Sequence, residues 1–225
     1  MQGHIKAALA LAAAGVATAQ NCNGFAELCD RKYSEVTFAA AHNAAFVGTG
    51  PAHNQFDYPE AQFDRGIRYF TTQTHDKDGT IEQCHTDCLL LDVGAFSEIV
   101  VSIKNKLDTN PREVATLLIT NGADNIDVAK FGDIFVDTGA DQYVFTPDGT
   151  LGIDDWPTLG QLIDAGTRLV VFMGKWCKTE DSSRVAQVLM IKPDYNSDTS
   201  RVPYILGMYT TRVEEHLEIY DYGSS

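Results

Sequence analysis

The chain has 225 residues, 44% of them hydrophobic and 21% charged, with 31 Asp and Glu against 17 Lys and Arg, a formal net charge of −14. That length allows one domain with a sizeable core. The acidic balance, with no cluster of Lys and Arg, excludes nucleic acid as a partner and disfavours simple adsorption onto an anionic membrane.

Residues 1–19 read as a secretory signal peptide: Lys6 is followed by an apolar run from Ala7 to Val16 and a small-x-small cleavage pattern at Ala17-Thr18-Ala19. The run is about half the twenty or so residues a spanning helix needs, and nothing later is apolar for that long, so no transmembrane anchor is expected. The remaining chain, 20–225, is expected to be a single secreted, extracellular domain and a monomer. Cys22 and Cys29, then Cys84 and Cys88, form two close pairs. In an oxidising compartment these predict two short local disulfides, with Cys177 left over.

Val36 to Ala41 is a short apolar run ending at His42-Asn43, read as a buried strand, and Gly48-Thr49-Gly50-Pro51 as loop. Ala61 to Arg65 is a short helix. Ile67 to Gln73 is rich in β-formers, Asp76 to Gly79 is a turn, and Thr80 to His85 is a third strand. Phe96, Ile99, Val100, Ile103 and Leu107 recur at helical spacing, stopped by Asn110-Pro111. Val114 to Thr120 is almost continuously apolar, as in a parallel strand covered on both faces. A helix over Val128 to Asp137, a strand near Tyr143 to Thr146, a helix over Trp156 to Gly166 and a strand over Arg168 to Met173 complete the series. Strands alternating with helices predict a parallel α/β fold, in the order of a (β/α) barrel.

In such folds ligands sit at the carboxyl ends of the strands, and His42, Gln73, His85 and Asn121 all end strands in this reading. Two histidines across such a site could divide a phosphodiester reaction, one removing a proton from the attacking hydroxyl and one protonating the leaving alkoxide. A lone histidine at a strand end is more often a hydrogen-bonded rim residue. A zinc site from His75, Cys84, His85 and Cys88 is a weaker alternative, because secreted cysteines usually pair. Asp154-Asp155 reads as a helix cap or a solvated pair. Arg68 reads as a pocket cation or a structural ion-pair partner, on the opposite face of its strand from Gln73.

The segments from Cys22-Asn23-Gly24 to Cys29, Phe38 to Asn43, Gly66 to Phe70, Asp78 to Cys88 and Thr167 to Met173, taken in order, resemble the fungal secreted branch of the phosphatidylinositol-specific phospholipase C-like phosphodiesterases. The resemblance covers about residues 21–173 and resumes at Asp194 to Leu206. It implies a TIM barrel, with His42 as general base, His85 as general acid, and Asn43, Gln73 and Asn121 lining the substrate site. It further implies lipid metabolism: a hydroxyl of an inositol phospholipid or glycosylphosphatidylinositol-like substrate attacks the neighbouring phosphate and leaves a cyclic inositol phosphate. His42-Asn43 resembles the pair of the calcium-dependent animal enzymes. The acidic calcium ligands expected on the second strand are not visible, since Thr71, Thr72 and Gln73 stand there, so no metal site is assigned.

Residues 174–193 depart from the family pattern and read as an in-frame translated intron, with a genuine loop insertion as the alternative. Residues 207–225 are a divergent charged tail. A full barrel uses about 250 residues, so the barrel is expected to be incomplete at its C-terminal end. Two readings follow: a phosphoric diester hydrolase of the phospholipase C type, or a non-catalytic secreted barrel protein that keeps the histidines.

Overall fold

The computed structural model describes residues 20–121, 126–149, 151–175 and 187–190. Residues 1–19, read above as a signal peptide, Cys177, most of the 174–193 segment and the tail lie outside them. Seven strands form one sheet: β1 (Ala40–Ala41), β2 (Tyr69–Lys77), β3 (Thr80–Cys84), β4 (Asp92–Ala95), β5 (Ala115–Asn121), β6 (Leu169–Lys175) and β7 (Gln187–Met190). The helices are α1 (Pro59–Asp64), α2 (Phe96–Thr109), α3 (Val128–Thr138) and α4 (Leu159–Asp164). The order across the sheet is β4-β3-β2-β5-β6-β7, with β1 on β2.

The expected parallel centre is present: β2 pairs with β5, and β5 with β6, in parallel. The near-continuous apolar sequence of β5 and β6 follows from cover on both faces. On one face α2 and α3 pack Phe96, Ile99, Ile103, Phe131 and Phe135 against Phe70, Leu117, Ile119 and Val171. On the other, Tyr33, Trp156, Leu159, Val170 and Phe172 form a second cluster. The fold is therefore mixed α/β around a central sheet. Among the described residues that sheet is open, ending at β4 and β7.

Several elements differ from the sequence reading for identifiable reasons. Residues 143–146 are no strand: Asp141–Tyr143 forms a 3-10 turn, and Val144 makes only an isolated bridge to Leu169. β4, which the sequence reading lacks, pairs antiparallel with β3 through a register shift between Glu82 and Cys84. α4 starts later than expected because Thr158 and Gln161 form a capping box at its N-terminus. Asp155 instead accepts the Gly152 amide at 2.9 Å, so neither member of the Asp154-Asp155 pair caps the helix.

One topological detail positions the site. The edge of β2 facing away from β5 is shared by two strands. β1 runs parallel along its lower part, Ala40 and Ala41 opposite Tyr69 and Phe70. β3 runs antiparallel along its upper part, Thr80 to Gln83 opposite Lys77 to Thr74. Asp78 and Gly79 connect β2 to β3 with φ of 54° and 88°, the doubly positive turn that suits a twisted hairpin. β1 climbs and β3 descends, so their ends approach one another beside Thr71–Gln73, where this edge of β2 pairs with neither.

Candidate active site

His42 leaves the top of β1 and His85 leaves the bottom of β3, so both enter the same gap. The chain after His42 is fastened to β2 by two hydrogen bonds. The Asn43 amide donates to Thr71 Oγ1 at 2.9 Å, and the Ala44 amide donates to the Thr71 carbonyl at 2.8 Å. Asn43 takes a left-handed conformation, φ 49°, which asparagine tolerates better than most residues. Gln55 Nε2 donates to the His42 carbonyl at 2.6 Å and pins the loop from its far side.

His85 is held by different means. It lies inside the four-residue span closed by the Cys84–Cys88 disulfide. Its amide donates to the Leu91 carbonyl at 2.9 Å, and its ring lies 5.6 Å from that of the fully buried Phe46. The next residue, Thr86, donates its amide to Gln73 Oε1 at 3.0 Å. Phe46 belongs to the His42 loop, so the two histidine segments also touch each other through this aromatic contact.

The electrostatics agree with the topology. His42 keeps an open side to solvent, yet its pKa is held below the ordinary histidine value, first by burial and then by the charge of His85. The second cause requires that the two rings lie within electrostatic reach of each other. His85 Nδ1 is buried and has no hydrogen-bond partner among the described residues, where buried polar atoms are as a rule paired.

Of the residues singled out in the sequence, the structure brings His42, Asn43, Gln73 and His85 to one gap. Asn121 is elsewhere. The β2–β5 register sets Gln73 opposite Thr120 and Thr74 opposite Asn121, so Asn121 faces the helix-covered side while Thr120 stands beside Gln73. The Asn121 amide closes the following loop instead, donating to the Ile126 carbonyl at 2.8 Å and accepting the Ile126 amide at 3.1 Å. Asn43 Nδ2 is likewise engaged, with Asn54 Oδ1 at 3.0 Å. Arg68 pairs with Glu113 at 2.8 Å and stacks over Phe63, the structural role weighed for it.

Thr71 was missed as an anchor because a threonine inside a β-rich run carries no signal of its own. Both predicted disulfides form, Cys22–Cys29 and Cys84–Cys88. The second consumes the two thiols on which the zinc alternative relied. A hard divalent cation such as calcium needs several carboxylate or carbonyl oxygens. Thr71, Thr72 and Gln73 supply no carboxylate, and no group of three or more His, Cys, Asp or Glu among the described residues is placed to hold a metal. The residues present do not fit calcium.

An α/β sheet protein with two histidines meeting at strand ends is the class that the fold and gap define. Within it, the family model described as PI-PLC X 1 matches residues 28–190, and the chain belongs to the PI-PLC X family. It is 42% identical over 197 residues to the PI-PLC X domain-containing protein 1 of Arthroderma benhamiae, covering 86% of this chain and 58% of that protein. It is 37% identical over 191 residues to an uncharacterized secreted protein of the same fungus, covering 84% of this chain and 38% of that one. The chain thus spans little more than half of the longer match and less of the other. Among solved structures, a variant of the phosphatidylinositol-specific phospholipase C of Staphylococcus aureus aligns over 70% of this chain and 55% of that one, at 16% identity and a TM-score of 0.49. That distance is too great for any functional transfer.

Proposed function

We propose that the chain is a secreted phosphoric diester hydrolase of the phospholipase C type, acting on an inositol phospholipid or a glycosylphosphatidylinositol-like substrate. The observation that carries this reading is the convergence of His42 and His85 on one gap of β2, near enough that the charge of one is felt by the other. His42, whose pKa is depressed, is neutral at neutral pH and takes the proton of an inositol hydroxyl. The hydroxyl oxygen bonds to phosphorus, the bond from phosphorus to the lipid alkoxide breaks, and protonated His85 gives its proton to that alkoxide. A cyclic inositol phosphate and a neutral alcohol result. Asn43 and Gln73 line the same gap. Secretion is supported by the two disulfides, by the relative named as secreted, and by the absence among the described residues of any helix long and apolar enough to cross a membrane.

The test is release of cyclic inositol phosphate from phosphatidylinositol by the purified protein beside its His42→Ala and His85→Ala variants. A general acid or base is worth about 10²- to 10⁴-fold, so each variant should lose at least about 100-fold in turnover while remaining folded. Equal turnover in all three would sink the reading.

One observation favours a second reading, a secreted binding protein without turnover. Thr71, Thr72 and Gln73 offer no cation to the phosphate, whose charge in the transition state needs compensation. Binding of phosphatidylinositol by a folded protein with no product formed, undiminished in both variants, is its expected result.

A further inference from the structure

Gln73 stands at the β3 end of the gap, and what it does there is not what a phosphate-lining residue alone would do. Its Oε1 is spent on the backbone of the His85 segment, accepting the Thr86 amide at 3.0 Å. Thr86 is one of only four non-glycine residues with a positive φ among the described residues, at 66°. That region is strongly disfavoured for a β-branched side chain. Such a conformation persists only where its surroundings over-determine it, and the observed outlier points to a functional constraint. Three restraints surround it. The Cys84–Cys88 disulfide closes the span, the His85 amide is tied to the Leu91 carbonyl at 2.9 Å, and Gln73 reaches across from β2. The disulfide and the Leu91 bond lie within the 84–91 segment and travel with it. Beyond the pairing of β3 with β2 and the Phe46 contact, Gln73 gives the turn after Cys84 a direct tie to the strand on which His42 is also anchored, through Thr71.

We propose that Gln73 is a positioning residue, which holds the strained His85–Thr86 turn against β2 and so fixes His85 relative to His42. This rests on the function proposed above but is separable from it. On this account a residue standing where a metal ligand or a cation was expected serves the acid/base pair through the backbone instead. The chemistry needed at position 73 is an acceptor at the reach of a glutamine side chain. Glutamate supplies that, and methionine, of similar length, does not.

The experiment compares wild type, Gln73→Met and Gln73→Glu, with the Cys84→Ser/Cys88→Ser double variant as a second way to loosen the same turn. Two readouts are taken on each folded protein. The first is kcat and KM for cyclic inositol phosphate release. The second is the NMR titration of the His42 ring, with His85→Ala as the reference for a His42 that no longer senses its partner. Gln73→Met should lower kcat by about ten- to a hundredfold with KM within about threefold, the pattern expected when a group acting in the transition state is misplaced. Its His42 titration should move upward, toward that of His85→Ala. Gln73→Glu should restore kcat to within about tenfold of wild type, and the double cysteine variant should resemble Gln73→Met. If Gln73→Met raises KM alone and leaves the His42 titration in place, Gln73 is a substrate ligand and the proposal fails. If the wild type turns over no phosphatidylinositol, the functional reading fails, while the titration still decides whether Gln73 fixes His85 relative to His42.

Discussion

The centre of the sheet and the gap beside β2 are built on different physics. β5 and β6 are held by two apolar clusters, one on each face, in which dozens of weak contacts share the load. The gap is held by a few specific restraints: two hydrogen bonds to Thr71, one to Gln73 and one disulfide, with Asn43 and Thr86 at positive φ. The centre tolerates small errors by repacking. In the gap the restraints are few, so losing one is expected to displace a histidine without unfolding the domain. Stability and chemistry are thereby assigned to different residues.

That division is sharpest at Phe96. It is fully buried at the start of α2 and makes edge-on contacts with Phe131 and Phe135, at 5.4 and 6.1 Å between ring centres. Phe96→Ala is expected to cost about 3–5 kcal/mol of stability, read from denaturant midpoints, and to leave the His42 titration of the folded fraction unchanged. A shifted titration would break the separation between the two regions. Thr158 is a milder case on the scaffold side. Its Oγ1 accepts the Gln161 amide at 3.2 Å and caps α4, so Thr158→Ala should cost about 1 kcal/mol with kcat unaltered.

The smallest effect runs the other way, from the gap to stability. Folding lowers the pKa of His42, so between the folded and unfolded values the unfolded chain binds more protons. The group is therefore without influence above about pH 6.5, its ordinary value, and stability falls as pH drops below that point. His42→Ala should flatten the slope of unfolding midpoint against pH below about 6.5. An unchanged slope would mean that His42 is not coupled to the fold.

Much of the scaffold was legible because its signals are local. The apolar periodicity of α2 and the unbroken apolar run of β5 mark those elements to within a residue or two. His42 and His85 were legible as strand ends for the same reason. What could not be read was pairing. That β1 and β3 share one edge of β2, so that the two histidines approach from opposite directions, depends on partners far apart in sequence. Asn121 illustrates the cost. It ends its strand, as Gln73 was expected to, but a one-residue difference in register puts a side chain on the other face of a sheet, and register is invisible in a single strand. β4 escaped notice because Asp92-Val93-Gly94-Ala95 has little β-propensity and is a strand only by virtue of β3.

The shared edge of β2 has a consequence for the layout of the chain. Every group that forms the gap, from Ala40 through Leu91, belongs to one uninterrupted stretch of chain, with the hairpin turn at Asp78-Gly79 in its middle. The histidines, their anchors and the Cys84–Cys88 disulfide are therefore carried together in one continuous segment of the chain. Changes in the chain after β6 touch none of them.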